Sequence, residues 1–402
     1  MSALAILKNL ERYKNLFVFL FLIILVLGAL YYRVLFAYNI NYTGMHNGTG
    51  FGHDEYNYIE MAKNIVDNRM YSYMSDSEPN AYVTPGYPLF LALVYYIKGG
   101  GNWVLSAKLT QAFISALSIV PVFFIGRKLH GKTSGLIAAS LMAFYPPLVM
   151  YSRFLLTETL YIFMFLCYFL MQILAFEKQK GIWHVCTGML AAATVLVRPL
   201  IVILLPLAYI YMYFTKREGR AVWRRFGFFL IGFFLVMAPW WIRNIVVLEK
   251  IILLCTQSNP FYYGIIENHA ELPPSENETI DGIKLIWNML KEHPIRTIKW
   301  YTVGKLNIIF AGQDYWLPEG WRYLNSLQLL HPFIIVTGGL GITMALFKEK
   351  IRFVSIFIVL NIISQLLFIP VARYAVPIIP LLCICSSYML CHFYREKKYL
   401  PQ

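Results

Sequence analysis

Ten stretches of this 402-residue chain are apolar over close to the length of a bilayer-spanning helix, and no other feature constrains its fold as much. They run at about 16–38, 103–126, 134–150, 156–176, 182–197, 199–214, 226–246, 326–347, 353–370 and 374–393, some fused to a neighbour by a brief turn. A helix needs ~20 mostly apolar residues to cross the hydrocarbon core, where every backbone N–H and C=O must be satisfied internally. The supply of charge agrees, at 14% of residues against ~25% in ordinary soluble domains. The expected fold is therefore an all-α polytopic membrane protein with about ten transmembrane helices, and a soluble enzyme is excluded. The first span follows Lys8, Arg12 and Lys14 but is too long for a signal peptide and lacks a small-residue cleavage site, so it reads as uncleaved.

Lys and Arg outnumber Asp and Glu by 35 to 21, a formal net charge of +14. In a soluble chain that excess would suggest nucleic acid; here it sorts by side of the membrane, and no nucleic-acid partner is implied. With the N-terminus inside, segments 1–14, 127–132, 177–181, 215–225, 347–352 and 394–402 are cytoplasmic and hold 19 of the 35 basic residues. Each of the six is basic, which places both termini in the cytoplasm and suits that face to anionic membrane lipids. The six cysteines show neither zinc spacing nor a disulfide framework and read as small apolar core residues.

Two outer loops are long, 39–102 and 247–325, and long connections are commonly functional. The first holds a helical stretch from Asp54 to Asn68 and a short apolar stretch from Pro88 to Ile97, both expected to lie at the membrane surface. The second carries the polar tip Leu-Pro-Pro-Ser-Glu-Asn-Glu-Thr (272–279), then an amphipathic helix at about 282–310, rich in Trp and Lys. Asn-x-Ser/Thr sequons at Asn41, Asn47 and Asn277 all fall in these loops.

Ionisable groups at span level are expensive and are candidates for function. Glu158 is the one acid inside an expected span, near its outer end; Arg33, Lys108, Arg153, Arg198, Arg243 and Arg373 sit near the outer face. Snorkelling accounts for any single one of these bases. A set gathered against the positive-inside bias suits a phosphate, which arginine grips with a planar fork of donors. Asp54 and Glu55 open the first outer helix. Capping by Asp54 and a dipole contact by Glu55 explain that pair without chemistry, and Thr157 offers Glu158's helix the same service. His53 beside Asp54 raises a metal, but one histidine next to two acids is a weak ligand set. Chemically, the outward acids and arginines fit a reaction in which a carboxylate takes a proton from an acceptor hydroxyl while arginines stabilise a departing phosphate. Glycosyl and phosphoryl transfer from a lipid phosphate both remain open at this level.

The same residues carry a family resemblance. Asp54-Glu55-Tyr56, Ala62, Tyr82-Val83-Thr84-Pro85-Gly86-Tyr87-Pro88-Leu89, Thr157-Glu158-Thr159-Leu160-Tyr161, Val197-Arg198-Pro199, Ala238-Pro239-Trp240 with Arg243-Asn244, and Arg373-Tyr374 with Pro377 and Pro380 recur in order along most of the chain. That succession resembles the membrane-embedded GT-C glycosyltransferases of the protein-mannosyltransferase and aminoarabinose-transferase type (glycosyltransferase family 39). The resemblance implies one GT-C-like membrane domain over 1–402, in a bacterial plasma membrane, with the active site on the extracytoplasmic side. It implies an inverting transferase that moves a hexose or pentose from a polyprenyl-phosphate-linked sugar to an unknown acceptor, whether lipid, glycan or protein. Asp54 becomes the catalytic acid residue acting on the acceptor hydroxyl. Glu55 and Glu158 support it by positioning the acceptor, a basic group or a divalent ion; Mg2+ or Mn2+ between Asp54 and Glu158 is the metal in question, and no cofactor is definite. Arg198, Arg243 and Arg373, with Tyr82 and Tyr87, are the implied contacts to lipid phosphate and sugar. Thr84 stands where aminoarabinose transferases carry a Lys before the paired prolines, which speaks against that donor. The large soluble outer domain of some protein-glycosylating relatives is expected to be missing. The competing readings are a multi-span transporter or flippase of lipid-linked sugar, and an O-antigen ligase or polymerase-like enzyme with a pyrophosphate-linked donor.

Overall fold

The computed structural model describes residues 3–38, 51–74, 78–216, 218–257, 259–267, 271–273, 275–311, 327 and 329–397. Within them the chain is helical and no strand occurs. Asn41, Asn47 and the 39–50 and 312–325 parts of the two long loops lie outside the described residues.

A helix stands at each of the ten expected span positions: α1 (Ala3–Tyr38), α4 and α5 (Trp103–Leu117, Ile119–His130), α6 and α7 (Lys132–Ala143, Pro146–Tyr151), α8 (Thr157–Lys178), α9 (Gly181–Val197), α10 (Leu207–Lys216) after a 3-10 turn at Pro199–Leu204, α11 (Gly219–Leu248), α16 (Leu330–Leu346), α17 (Glu349–Gln365) and α18 (Ile379–Lys397). Five described stretches are long and apolar enough to cross a membrane: Tyr13–Tyr38, Trp103–His130, Thr157–Lys178, Gly219–Leu248 and Ala372–Tyr394. Four shorter apolar helices, Gly181–Val197, Pro199–Thr215, Leu330–Leu346 and Ile351–Gln365, accompany them. The chain is an integral membrane protein. The expected span at 134–150 is a broken one. α6 ends at Ala143, and Pro146 and Pro147 restart the chain as the first residues of α7, where a missing N–H is harmless.

Burial separates inner from outer helices. In its apolar window α18 is 89% buried, whereas α1 and α11 are 22% buried and turn Ile24, Leu235 and Val246 outward to lipid. α18 runs through the middle, packed against α5, α6 and α16. Close approach is permitted by small residues, as is usual between helices in lipid. Gly188 of α9 lies against the α11 backbone at Phe229, and Gly341 of α16 against the α18 backbone at Cys385.

On one side of this bundle lie the loop helices. α2 (Phe51–Asp67) and α3 (Gly86–Lys98) match the two surface stretches expected in the first long loop, and they pack on each other. α3 ends at Gly99, whose left-handed φ of 67° lets its N–H return to the Tyr95 carbonyl. In the second long loop, α12 (Asn259–Tyr262) precedes α13 (Glu278–Glu292), which Asn277 caps by accepting the Ile280 N–H. The single helix expected at 282–310 is broken at Pro294, which cannot continue α13; after it come α14 (Pro294–Lys299), a wide π turn at Trp300–Gly304, and α15 (Lys305–Ala311).

The Thr-Pro-Gly motif of the first loop has a packing reason. Pro85-Gly86 starts α3 directly against the end of α9, and a Cβ on Gly86 would stand 2.7 Å from the Leu196 carbonyl oxygen and 2.9 Å from a Val197 methyl. Gly86→Ala is expected to destabilise the fold by about 1–3 kcal/mol, since that neighbour is helix backbone that cannot step aside. A drop in melting temperature in detergent checks this; an unchanged value would show that the α3–α9 contact gives way freely.

Candidate active site

Two helix N-termini bring the acids together. Asp54 lies in the first turn of α2 and Glu158 in the first turn of α8, where the partial positive charge of a helix start favours a carboxylate. Neither motif works as a plain cap. α2 begins at Phe51, so Asp54 is already inside the helix, and Thr157 is the first residue of α8 while its hydroxyl donates weakly to Glu158 Oε2 at 3.5 Å.

Each acid faces an arginine. Arg373, on a 3-10 turn at Ala372–Tyr374 ahead of α18, donates NH1 to Asp54 Oδ2 at 2.9 Å. Arg198, one residue past α9, sits 3.3 Å from Glu158 Oε1. That pair is close but poorly aligned: Oε1 is buried and receives no directed hydrogen bond. The two pairs form one cluster, since Arg373 lies within electrostatic range of Glu158 as well as Asp54. The Tyr374 ring packs between them, with the Arg198 guanidinium 5.3 Å and the Arg373 guanidinium 5.5 Å from its centroid. Exposure then ranks the groups by reach. The side chains of Asp54, Arg198 and Arg373 keep 32%, 19% and 20% of their surface, whereas Glu158 keeps 2%. The first three are open to a ligand; Glu158 is not, and faces Arg198 from within the protein.

Glu55 has a different job. Adjacent helical residues point ~100° apart, so while Asp54 faces Arg373, Glu55 turns into the protein. There it meets Lys108 Nζ of α4 at 3.2 Å and accepts the Leu155 N–H at 3.3 Å. It braces α2 against the turn that leads into α8, and so holds the two acidic helix starts in register.

The structure gives the other expected contacts their own partners. Arg243 donates to the Tyr71 and Asn80 carbonyls at 3.0 and 2.9 Å and to Asn244 Oδ1 at 3.0 Å, between the rings of Tyr71 and Trp240. It ties down the loop between α2 and α3 and is not gathered with the acid–arginine cluster. Tyr87 is fully buried and donates its hydroxyl to Gln111 Oε1 at 2.8 Å. Tyr82 is half-buried and stacks on Tyr73, ring centroids 5.2 Å apart, at the rim of the site. Arg33 is fully buried and donates to Ser115 Oγ and to the Ala29 and Ala143 carbonyls, fastening α1 to α4 and α6.

Three residues that sequence reasoning missed complete the frame. Tyr73 reaches Asp54 Oδ1 through a long 3.5 Å contact, and its hydroxyl also accepts from Asn57 Nδ2 at 3.4 Å. Burial first, and the charge of Asp54 next, push the Tyr73 hydroxyl up to about 12, so it stays protonated and donates toward the carboxylate. Asn80 folds the loop around itself, its side chain bonding Ser72, Tyr73 and Tyr82. Lys305 of α15 is fully buried and donates to the Leu366 and Phe368 carbonyls at 2.6 and 3.0 Å, fixing the segment that ends in Arg373. Nothing in the one-dimensional pattern marks these three, because each works on groups, mostly of the backbone, that only the fold brings near.

Arg243→Ala is expected to free the loop at 71–83, leaving two carbonyls without a charged donor at about 1.5–3 kcal/mol each. Faster tryptic cleavage at Arg69, with Arg243→Lys intermediate because an ammonium lacks the planar fork, is the check. Equal cleavage rates in wild type and Arg243→Ala would sink the bracing role.

The cluster fits a metal ion poorly. Among the described residues no group of three His, Cys, Asp or Glu is placed to hold one. Asp54 and Glu158 already face cationic arginines, and His53 is exposed. No step is routed through a metal below.

Comparison with known proteins agrees with the sequence motifs. Residues 80–242 match the family model described as dolichyl-phosphate-mannose-protein mannosyltransferase. No curated protein matches the chain. Among solved structures, the archaeal oligosaccharyltransferase AglB from Archaeoglobus fulgidus, in complex with an inhibitory peptide and a dolichol-phosphate, superposes with a TM-score of 0.61 at 15% identity, over 96% of this chain and 52% of that one. ArnT from Cupriavidus metallidurans, bound to undecaprenyl phosphate, gives 0.57 at 15% identity, over 92% of this chain and 60% of that one. The Archaeoglobus fulgidus oligosaccharyltransferase in complex with Zn and sulfate gives 0.57 at 15% identity, over 93% and 50%. The chain thus spans about half the length of the oligosaccharyltransferase and shares its membrane fold.

Proposed function

Proceeding from a GT-C membrane fold whose residues 80–242 match the protein-mannosyltransferase family model, we propose that this protein is an inverting glycosyltransferase using a polyprenyl-phosphate-linked sugar. The carrying observation is the cluster itself: Asp54 at a helix start, reachable from outside, beside two arginines in a setting otherwise poor in charge. In this reading 1–402 is one membrane domain, with 39–102 and 247–325 as loops on the extracytoplasmic side of a bacterial plasma membrane and both termini in the cytoplasm.

Asp54 accepts the proton of the acceptor hydroxyl as its oxygen attacks the anomeric carbon. The bond from that carbon to the donor phosphate breaks on the opposite face, and the electron pair leaves on polyprenyl phosphate. Arg373 and Arg198 stabilise the charge that develops there. The Asp54–Arg373 ion pair supplies a gate. A donor phosphate drawing Arg373 toward itself frees the Asp54 carboxylate for the acceptor hydroxyl only when substrate is present. Glu158 holds Arg198 from beneath, and Tyr82 stacked on Tyr73 offers an aromatic face at the rim. Arg243, Tyr87 and Glu55 shape the site without touching substrate. The resemblance also raised Mg2+ or Mn2+; two acids already paired with arginines argue for the phosphate as the arginines' ligand instead.

Purified protein in nanodiscs, supplied with labelled polyprenyl-monophosphate and polyprenyl-pyrophosphate sugars and a panel of lipid, glycan and peptide acceptors, tests this. Release of polyprenyl phosphate, with the anomeric configuration inverted in the product, is expected. Turnover of the pyrophosphate donor alone would instead favour the ligase or polymerase class, and vectorial movement of donor without cleavage a flippase.

A further inference from the structure

Away from the acid–arginine cluster, α1 and α5 part to leave a groove of about 370 Å³ on the lipid-facing side of the bundle. Its walls are apolar, with Leu22 and Val26 of α1 facing Val120 and Phe123 of α5. At one end it is closed by Arg127 and Lys132. Along α1 it runs from Asn15 to Leu27, about 18 Å at 1.5 Å per residue. That is close to one leaflet of a hydrocarbon core ~30 Å thick. The length is right for one acyl chain of a leaflet lipid. The end is right for its headgroup. Lys128, next to Arg127, is neutralised by Glu177 at 2.6 Å, whereas among the described residues Arg127 and Lys132 form no ion pair. Two cations that pair with no carboxylate among the described residues, at the mouth of an apolar slot where a headgroup would lie, complement an anionic lipid and not a neutral one.

We propose that this groove is a binding site for an anionic phospholipid, one acyl chain lying between α1 and α5 and the phosphate-bearing headgroup held by Arg127 and Lys132. The site is independent of the transferase reading and belongs to the end of the bundle away from Asp54. The bound chain fills the gap beside the small buried cluster of Leu22, Leu25, Ile119 and Phe123, and so fastens an otherwise thinly packed first helix to the bundle.

Native mass spectrometry of the full chain, released from nanodiscs of phosphatidylcholine and phosphatidylglycerol in equal amounts, reads the site directly. A basic side chain near the surface favours an anionic lipid about fivefold, so the wild type is expected to retain phosphatidylglycerol over phosphatidylcholine by about thirtyfold. Arg127→Gln with Lys132→Gln is expected to bring the ratio near one without lowering the melting temperature in pure phosphatidylcholine, because Arg127 is exposed. Val120→Trp keeps both cations but plugs the slot, and is expected to shed the retained lipid of either kind. Equal retention of the two lipids by the wild type, an undiminished preference in the double variant, or wild-type retention in Val120→Trp would each overturn the site.

Discussion

Asp54→Asn is expected to lower donor cleavage by about 10²–10⁴-fold with the fold intact. Asparagine has the same shape, keeps an oxygen for the Arg373 donor 2.9 Å away and retains the α2 helix start. It loses only the negative charge and the ability to take a proton. The carboxylate is about one-third exposed, so removing its charge has a small effect on stability and the loss should fall on the chemical step. Labelled polyprenyl phosphate release gives the rate, and an unchanged melting temperature shows that the protein is folded. A variant that turns over within twofold of wild type would falsify the role of Asp54 as base and leave its pairing with Arg373 as architecture. A variant that loses both turnover and stability would show the ion pair to be structural first.

Lys108→Met is expected to destabilise the protein by about 3–5 kcal/mol, the usual penalty for stranding one charge of a buried pair. The Lys108 and Glu55 side chains keep 11% and 4% of their surface, so solvent offers the abandoned carboxylate little help. Among the described residues, the other donor to Glu55 Oε1 is the Leu155 N–H at 3.3 Å. Pairing the change with Glu55→Gln removes the stranded charge and is expected to recover most of the loss, because a neutral amide in that pocket still accepts from Leu155. Thermal unfolding in detergent of the wild type, both single variants and the double variant completes the cycle. Additive losses would mean that the two side chains do not interact, and that α2 is held to the α7–α8 turn by packing alone.

Hydropathy is a sum over consecutive residues, and lipid enforces that sum locally, which is why a helix stands at every span position read from the sequence. The same reasoning found α2 and α3, since their apolar faces repeat at helical spacing. It failed where one residue outweighs the sum. Pro146 and Pro147 break the third span, and Pro294 breaks the helix expected at 282–310, although all three prolines were in view. The capping alternative for Asp54 assumed that the helix begins at the first polar signal, whereas α2 already starts at Phe51.

The candidate site was legible as a list but not as a set. Composition and topology put six bases near the outer face, and the family motifs narrowed them to Arg198, Arg243 and Arg373 without showing what each one faces. In the fold Arg33 and Arg243 turn to backbone carbonyls, Lys108 to Glu55, and Arg198 and Arg373 to the two acids at helix starts. Asp54 and Arg373 meet across 319 positions of chain, a distance over which no periodicity carries information. The loop frame of Tyr73, Asn80 and Lys305 was invisible for a related reason: its partners are mostly main-chain atoms, identical at every residue. The sequence by itself thus determined that the chain is a bundle of membrane helices whose few span-level charges lie near one face, because burying a backbone in lipid leaves few solutions. Which charges face a ligand and which hold the protein together was decided by tertiary structure alone, since a guanidinium binds a carboxylate, a phosphate or a carbonyl with the same fork, and only what stands within 3 Å of it selects among them.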